Sequence, residues 1–406
     1  MTVYIVFIIL TLLGIVLCDC KQTNGTGEKA FYWLLCIGLI LISGLSRELG
    51  GDKQLYLAFF DEIDLSIPLG EYITEQFEEY SFMPLWSILN YISCDWFNSF
   101  TLVQIVQAII INTTACYIAY KYTNCHFLFL FLFFISGIFF QFNTEVMREG
   151  GAIGLGLIAM DSFLDKKIGK YIVFVVLALL FHISALILLL FPILTITRWI
   201  FNWKMLWICL IVSFFMWFIS DVILTSIFPK LTFLPSELIH KIAHYTNEGA
   251  SLGGYIGLTI RYIIVPFIIG YFVFNAETNT DMATKKKQYI IYQLAIGTII
   301  CSTGWSFIRF ANYSCIFYII WITTLVELLV TQRKHILAQV FCLLFVCGFQ
   351  LQRFLIYYPE TNAYFYEFFV PYTSIFDNTQ PRIDRLELYQ EACPPKDNIA
   401  ARNIYE

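Results

Sequence analysis

The chain has 406 residues, a formal net charge of −5, and a composition that is 59% apolar and only 14% charged. Soluble domains carry about 25% charged and under about 50% apolar residues, so an ordinary water-soluble fold is excluded. The 40 Phe and 25 Tyr fall in runs too long and continuous for alternating barrel strands, and the apolar total suffices for an all-α polytopic membrane protein of about 11–12 transmembrane helices.

Val3 to Leu17 opens the chain as an apolar run without a basic leader or a small-residue cleavage site, and it reads as a retained span. Further apolar segments lie at about 31–46, 98–120, 126–142, 150–164, 171–197, 205–222, 255–275, 288–304, 306–330 and 336–356. Lysines gather in the short connections: Lys21 and Lys29, Lys121, Lys166 with Lys167 and Lys170, Lys204 after Arg198, Lys285 to Lys287, and Lys334 after Arg333. Loops enriched in Lys and Arg face the cytoplasm. Keeping both the Lys166 loop and the Arg198 loop inside requires Tyr171 to Thr197 to enter and return as two short helices meeting near His182, a re-entrant hairpin covered by protein or by a watery cavity. A single transmembrane domain over 1–356 results, with external loops at about 47–97 and 223–254 and an external tail over 357–406.

The arginines follow the opposite rule. Arg47, Arg148, Arg261, Arg309 and Arg353 each sit at or near the outer end of a predicted span, and with Arg382, Arg385 and Arg402 they make eight of the ten arginines external. A guanidinium grips phosphate or carboxylate with a rigid fork of donors, whereas an ammonium acts as a point charge. Arginines converging at the outer boundary therefore suit a phosphate-bearing lipid head group. The plainer alternative is snorkelling or local pairing, as of Arg148 with Glu145 three residues earlier.

GLSRELGGDKQLYLAFF, from Gly44, resembles the first external loop of the EpsG family of polysaccharide polymerases, with Arg47, Gly51, Asp52 and Tyr56 at the matching positions. EEYSFMPLWSIL from Glu78 is similar to the family's acidic element, with Tyr80 and Ser81 in place of the usual Pro-Gly. FNTEVMREGGAIGLGL keeps the arginine at Arg148, with Glu149 where Gln is more usual. LLFHISALILLLFP around His182 and Ser184 is the most specific match; RFANYSCIFY from Arg309 and VPYTSIF from Val370 follow in order. The resemblance implies a Wzy-like polymerase related in architecture to the C-type glycosyltransferases. Such an enzyme acts on the bilayer's outer face in the bacterial cytoplasmic membrane, joining oligosaccharide repeat units carried on undecaprenyl diphosphate. The lipid diphosphate leaves and a hydroxyl of the incoming unit attacks. A chain-length regulator is an implied partner; nucleic acid and cofactors are not expected.

That chemistry needs charge stabilisation on the departing phosphate and a base near the attacking hydroxyl. Arg148 and Arg309 are the first candidates for the phosphate, then Arg47 and Arg353, with Arg261 and Tyr56 also binding substrate. Asp52 is the first candidate base, since Gly50 and Gly51 let the backbone approach a ligand; a plain turn with a solvated Asp is the alternative. Glu79 is second, though Glu75 and Glu78 beside it also fit a wet acidic helix face. His182 could bind diphosphate, assist proton transfer or cap the hairpin turn. His240 and His244 stand four apart but lack the glutamate of the H-E-x-x-H motif, and Asp61, Glu62 and Asp64 read as a solvated loop, so no metal site is expected. The twelve cysteines mostly fall within spans as small apolar residues; Cys94 and Cys393 alone are external. A glycan ligase or a lipid-linked oligosaccharide flippase remains the alternative function.

Overall fold

A computed structural model describes residues 2–21, 25–197, 199–222, 251–276, 281–346, 355–359, 361–377 and 385–392. The protein is an all-α polytopic membrane protein. Among the described residues five helices, Thr2–Asp19, Thr26–Gly44, Phe100–Tyr122, Leu252–Phe274 and Phe307–Thr331, are long and apolar enough to cross a bilayer. Other expected spans are helical but shorter or more polar: Met147–Leu164 carries Arg148, Glu149 and Asp161, and Asp281–Thr303 begins with the Lys285–Lys287 run. The chain divides into two compact units, Met1–Ala185 with Lys334–Glu406, and Leu186–Arg333.

In the first unit, helices α1 (Thr2–Gly14), α2 (Thr26–Gly44), α3 (Asp52–Asp61), α4 (Leu69–Tyr80), α5 (Pro84–Phe97), α6 (Phe100–Tyr122) and α7 (His126–Ile135) precede α8 (Ile138–Glu145), α9 (Met147–Leu164) and α10 (Ile168–Phe181). The apolar segment expected over 126–142 is helical but not straight: α7 and α8 are bent by 73° and together are long and apolar enough for one broken span or a re-entrant loop. Gly137 sits between them at φ 77°, a left-handed conformation that glycine adopts without a Cβ clash. Helix α9 packs between α6 and α10. A Cβ at Gly150 would stand 2.3 Å from the Phe142 carbonyl and one at Gly154 3.0 Å from the Ile110 carbonyl, so small residues permit the close approach.

Buried polar contacts fix the register. Asn143 on α8 accepts from Ser43 on α2 and from Asn112 on α6, both at 2.9 Å. At the opposite end of α6, Lys121 grips Asp161 at 2.7 Å and Asp165 at 3.3 Å, and the Tyr122 hydroxyl donates to Asp161. Asp19 accepts the Leu128 N–H at 2.8 Å and so satisfies a donor in the first turn of α7. The lysine-bearing end of this unit is thus tied down by carboxylates.

The C-terminal residues belong to this unit. Tyr357–Tyr358 pairs antiparallel with Ala363–Tyr364, and residues to Asp377 lie along the 45–50 loop through Arg47 N–H to Thr373 O, Gly50 N–H to Phe368 O and Ile375 N–H to Leu45 O, each 2.9 Å. Arg385, opening the helix Arg385–Ala392, is 2% exposed and donates to the carbonyls of Glu48, Glu367 and Pro371 and to the Thr373 hydroxyl. One buried guanidinium thereby joins the tail to the loop after α2.

The expected break at His182 is present. Helix α10 ends at Phe181, His182 is extended, a 3-10 turn covers Ile183–Leu189, and α11 runs over Leu190–Ile196. In the second unit α12 (Trp203–Val222) packs against α15 (Asp281–Thr303). Leu252–Phe274 combines α13 (Leu252–Thr259), a wide turn at Ile260–Ile264 and α14 (Val265–Ala276). Helix α16 (Asn312–Thr331) stacks Phe317 on Tyr289 and donates from the Trp321 indole to Gln293 at 3.0 Å.

Candidate functional site

The first unit brings Asp52, Tyr56 and Arg148 into one neighbourhood. Asp52 opens α3 and Tyr56 follows one turn later, so the two share a helix face. Arg148 lies in the first turn of α9; its Nε donates to the Tyr56 hydroxyl at 3.2 Å and its Nη1 to the Ser81 carbonyl at 3.4 Å. The guanidinium lies 4.3 Å from the Phe82 ring centre and 5.4 Å from that of Tyr56. These rings form a cation–π seat, and Tyr56 is braced edge-on by Trp86 at 5.3 Å. Among the described residues no carboxylate lies within ion-pair distance of Arg148.

The local pairing of Arg148 with Glu145 is therefore corrected. Residues Gln141–Glu145 form a wide π turn and Val146 is non-helical at φ −113° and ψ 54°, so the i, i+3 relation of a regular helix is not held. Glu145 instead accepts the Gly51 N–H at 2.8 Å and anchors the loop that carries Asp52. Beside Arg148, Glu149 is 1% exposed and accepts from Ser184 at 3.5 Å; Ser184 lies 2.6 Å from His182 Nδ1. Glu149, Ser184 and His182 form a buried polar chain, in which His182 ends α10 and stands next to the site through α9. Sequence reasoning marked His182 and Arg148 but not the carboxylate joining their neighbourhoods; the signal was Glu149 itself, a charge inside an apolar helix.

The remaining candidates scatter. Arg47 pairs with Glu48 at 3.0 Å and lines a cleft of about 370 Å³ together with Lys53. Lys53 is 3% exposed and donates to the Ser46 carbonyl at 2.7 Å and hydroxyl at 2.6 Å. Burial, then the charge of Arg385, pushes its amine down to about 7, against a smaller opposing pull from Glu48. Glu79 is exposed on α4, and the phenol of its neighbour Tyr80 is raised by burial and then by the Glu79 charge. Arg261 and Arg309 lie in the second unit, Arg261 in the wide turn over the Tyr262 ring at 5.3 Å and Arg309 exposed in the 3-10 turn Gly304–Ala311. Arg353, Arg382, Arg402, Cys393, His240 and His244 fall outside the described residues.

The EpsG family model matches residues 29–374. No curated protein and no solved structure matches the chain.

Proposed function

This chain belongs to the EpsG family of Wzy-like polymerases, and we propose that it joins lipid-linked oligosaccharide repeat units into polysaccharide at the outer face of the bacterial cytoplasmic membrane. The anomeric carbon–oxygen bond to the diphosphate breaks and its electron pair leaves on the undecaprenyl diphosphate. A new bond forms to the hydroxyl of the incoming unit, whose proton passes to a base.

The observation that carries this reading is the seat of Arg148. A guanidinium has five N–H donors; Tyr56 and Ser81 engage two, which orients the plane, and three remain for an anion, with no carboxylate among the described residues competing for them. Charge-assisted bonds from such a fork strengthen as negative charge develops on the leaving oxygen. Asp52, one turn from Tyr56, is the proposed base, and the Glu149–Ser184–His182 chain holds or moves a proton behind the arginine. Arg261, Arg309 and Arg353 are proposed to bind further phosphate or acidic groups of the substrate. A chain-length regulator is the proposed protein partner.

The test is Asp52→Asn in living cells. Single repeat units should persist on the lipid at the outer face while long chains vanish. Units trapped on the cytoplasmic side would favour a flippase, and undiminished polymer with loss of attachment to a final acceptor would favour a ligase.

A further inference from the structure

Helix α3 has a second polar face. At about 100° per residue, Asp52, Tyr56 and Phe59 share the side nearest Arg148, whereas Lys53, Gln54, Leu57, Phe60 and Asp61 point elsewhere and all five line the 370 Å³ cleft. The opposite wall is the start of α6, including Phe100, Thr101 and Gln104. The cleft is thus separated from the Arg148 seat by the width of one helix, about 10 Å.

Two amides give this cleft its chemistry. Gln104 is 6% exposed and its Oε1 has no hydrogen-bond partner; Gln54 Nε2, across the cleft, is likewise buried and unpartnered among the described residues. Buried polar atoms are normally satisfied, and leaving an acceptor and a donor open on facing walls destabilises the protein unless something fills both. A hydroxyl group is donor and acceptor at once. Phe60 and Phe100, 5.5 Å apart between ring centres, supply an apolar surface in the same cleft. Apolar walls with a few placed polar groups, at a volume within the about 300–1,000 Å³ range, describe a small-molecule site.

The charge balance decides which molecule. The lining carries Arg47 and Lys53 against Glu48 and Asp61, with Arg47 paired to Glu48 and Lys53 bonded to Ser46, so the cleft has no excess of cations to attract a phosphate, unlike the seat of Arg148. We propose that this cleft is a glycan subsite, holding an uncharged sugar ring of the lipid-linked substrate by hydroxyl contacts to Gln54 and Gln104. The proposal rests on the polymerase reading for its ligand class: one side of α3 faces the diphosphate and the other holds the sugar.

The probe is a set of neutral oligosaccharides made by partial acid hydrolysis of the host's own surface polysaccharide, titrated by calorimetry into the full chain in lipid nanodiscs. Gln54→Met and Gln104→Met should each weaken binding about tenfold, the worth of about one hydrogen bond, while Arg148→Ala leaves it within about twofold. Inorganic pyrophosphate should not compete. Gln54 is only partly buried, so its variant retains the fold; Thr101→Trp fills the cleft independently, and thermal unfolding monitors both. Wild-type affinity in the folded Gln54 and Thr101 variants, or displacement of oligosaccharide by pyrophosphate, overturns the subsite. Separate elongation assays distinguish the two claims: a protein that polymerises with an indifferent cleft refutes the subsite alone, and glutamine-dependent binding without polymerisation refutes the polymerase reading alone.

Discussion

Replacing Arg148 by Lys keeps the positive charge and removes the fork. In the wild type Tyr56 and Ser81 hold two N–H groups and the Phe82 ring lies 4.3 Å below, leaving three donors in one plane. Lysine matches neither the plane nor the paired donors, so at least one of the two charge-assisted bonds proposed to the leaving phosphate is lost. At about 1.5–3 kcal/mol for such a bond, the chemical step should slow by about ten- to 150-fold. Alanine loses both bonds and the charge, and should slow it by about 10²–10⁴-fold. Single-turnover kinetics with purified protein and a defined lipid-diphosphate repeat unit separate this step from binding. If Arg148→Lys turns over at the wild-type rate, the bidentate role is wrong; if only KM changes, Arg148 binds substrate without acting in the transition state.

Lys53 predicts a pH dependence of stability. Its folded-state value of about 7 lies below the ordinary 10.5, so between these values the unfolded chain binds more protons and stability rises with pH, by up to about 1.4 kcal/mol per unit. Unfolding midpoints from pH 7 to 10 should climb in the wild type and flatten in Lys53→Met; equal slopes would remove Lys53 as the cause. Arg385→Ala should lower stability by about 3 kcal/mol or more, because three carbonyls and a hydroxyl lose a buried charged donor, and should speed protease cleavage of the C-terminal segment; an unchanged digestion rate would refute the fastening role. Gly150→Ala should cost about 1–3 kcal/mol through its clash with the Phe142 carbonyl, read as a lowered unfolding midpoint.

The long apolar helices were legible because hydrophobic run length is a local signal, and the helix does break at His182, the one histidine in the apolar run 171–197. Arg148 was legible for the same reason, as a cation at the end of an apolar helix. Its partners were not. Tyr56 and Ser81 lie 92 and 67 residues away, and the π turn before Val146 removes the helical spacing on which a Glu145 pairing depended. The 73° bend between α7 and α8 was hidden inside one continuous apolar run, where only Gly137 marked it. Arg385 was read as one of several external arginines, yet its contact with Glu48 spans 337 residues and no local pattern encodes such a pairing.

In the proposed reaction, chain growth releases the lipid diphosphate. The direct measurement supplies the purified protein with a lipid-diphosphate repeat unit of known length and follows both products together. The expected result is a ladder of whole-unit multiples, with one undecaprenyl diphosphate released for each new glycosidic bond. A reaction that releases lipid diphosphate without a ladder, or that moves intact lipid-linked units across the bilayer without joining them, would contradict it.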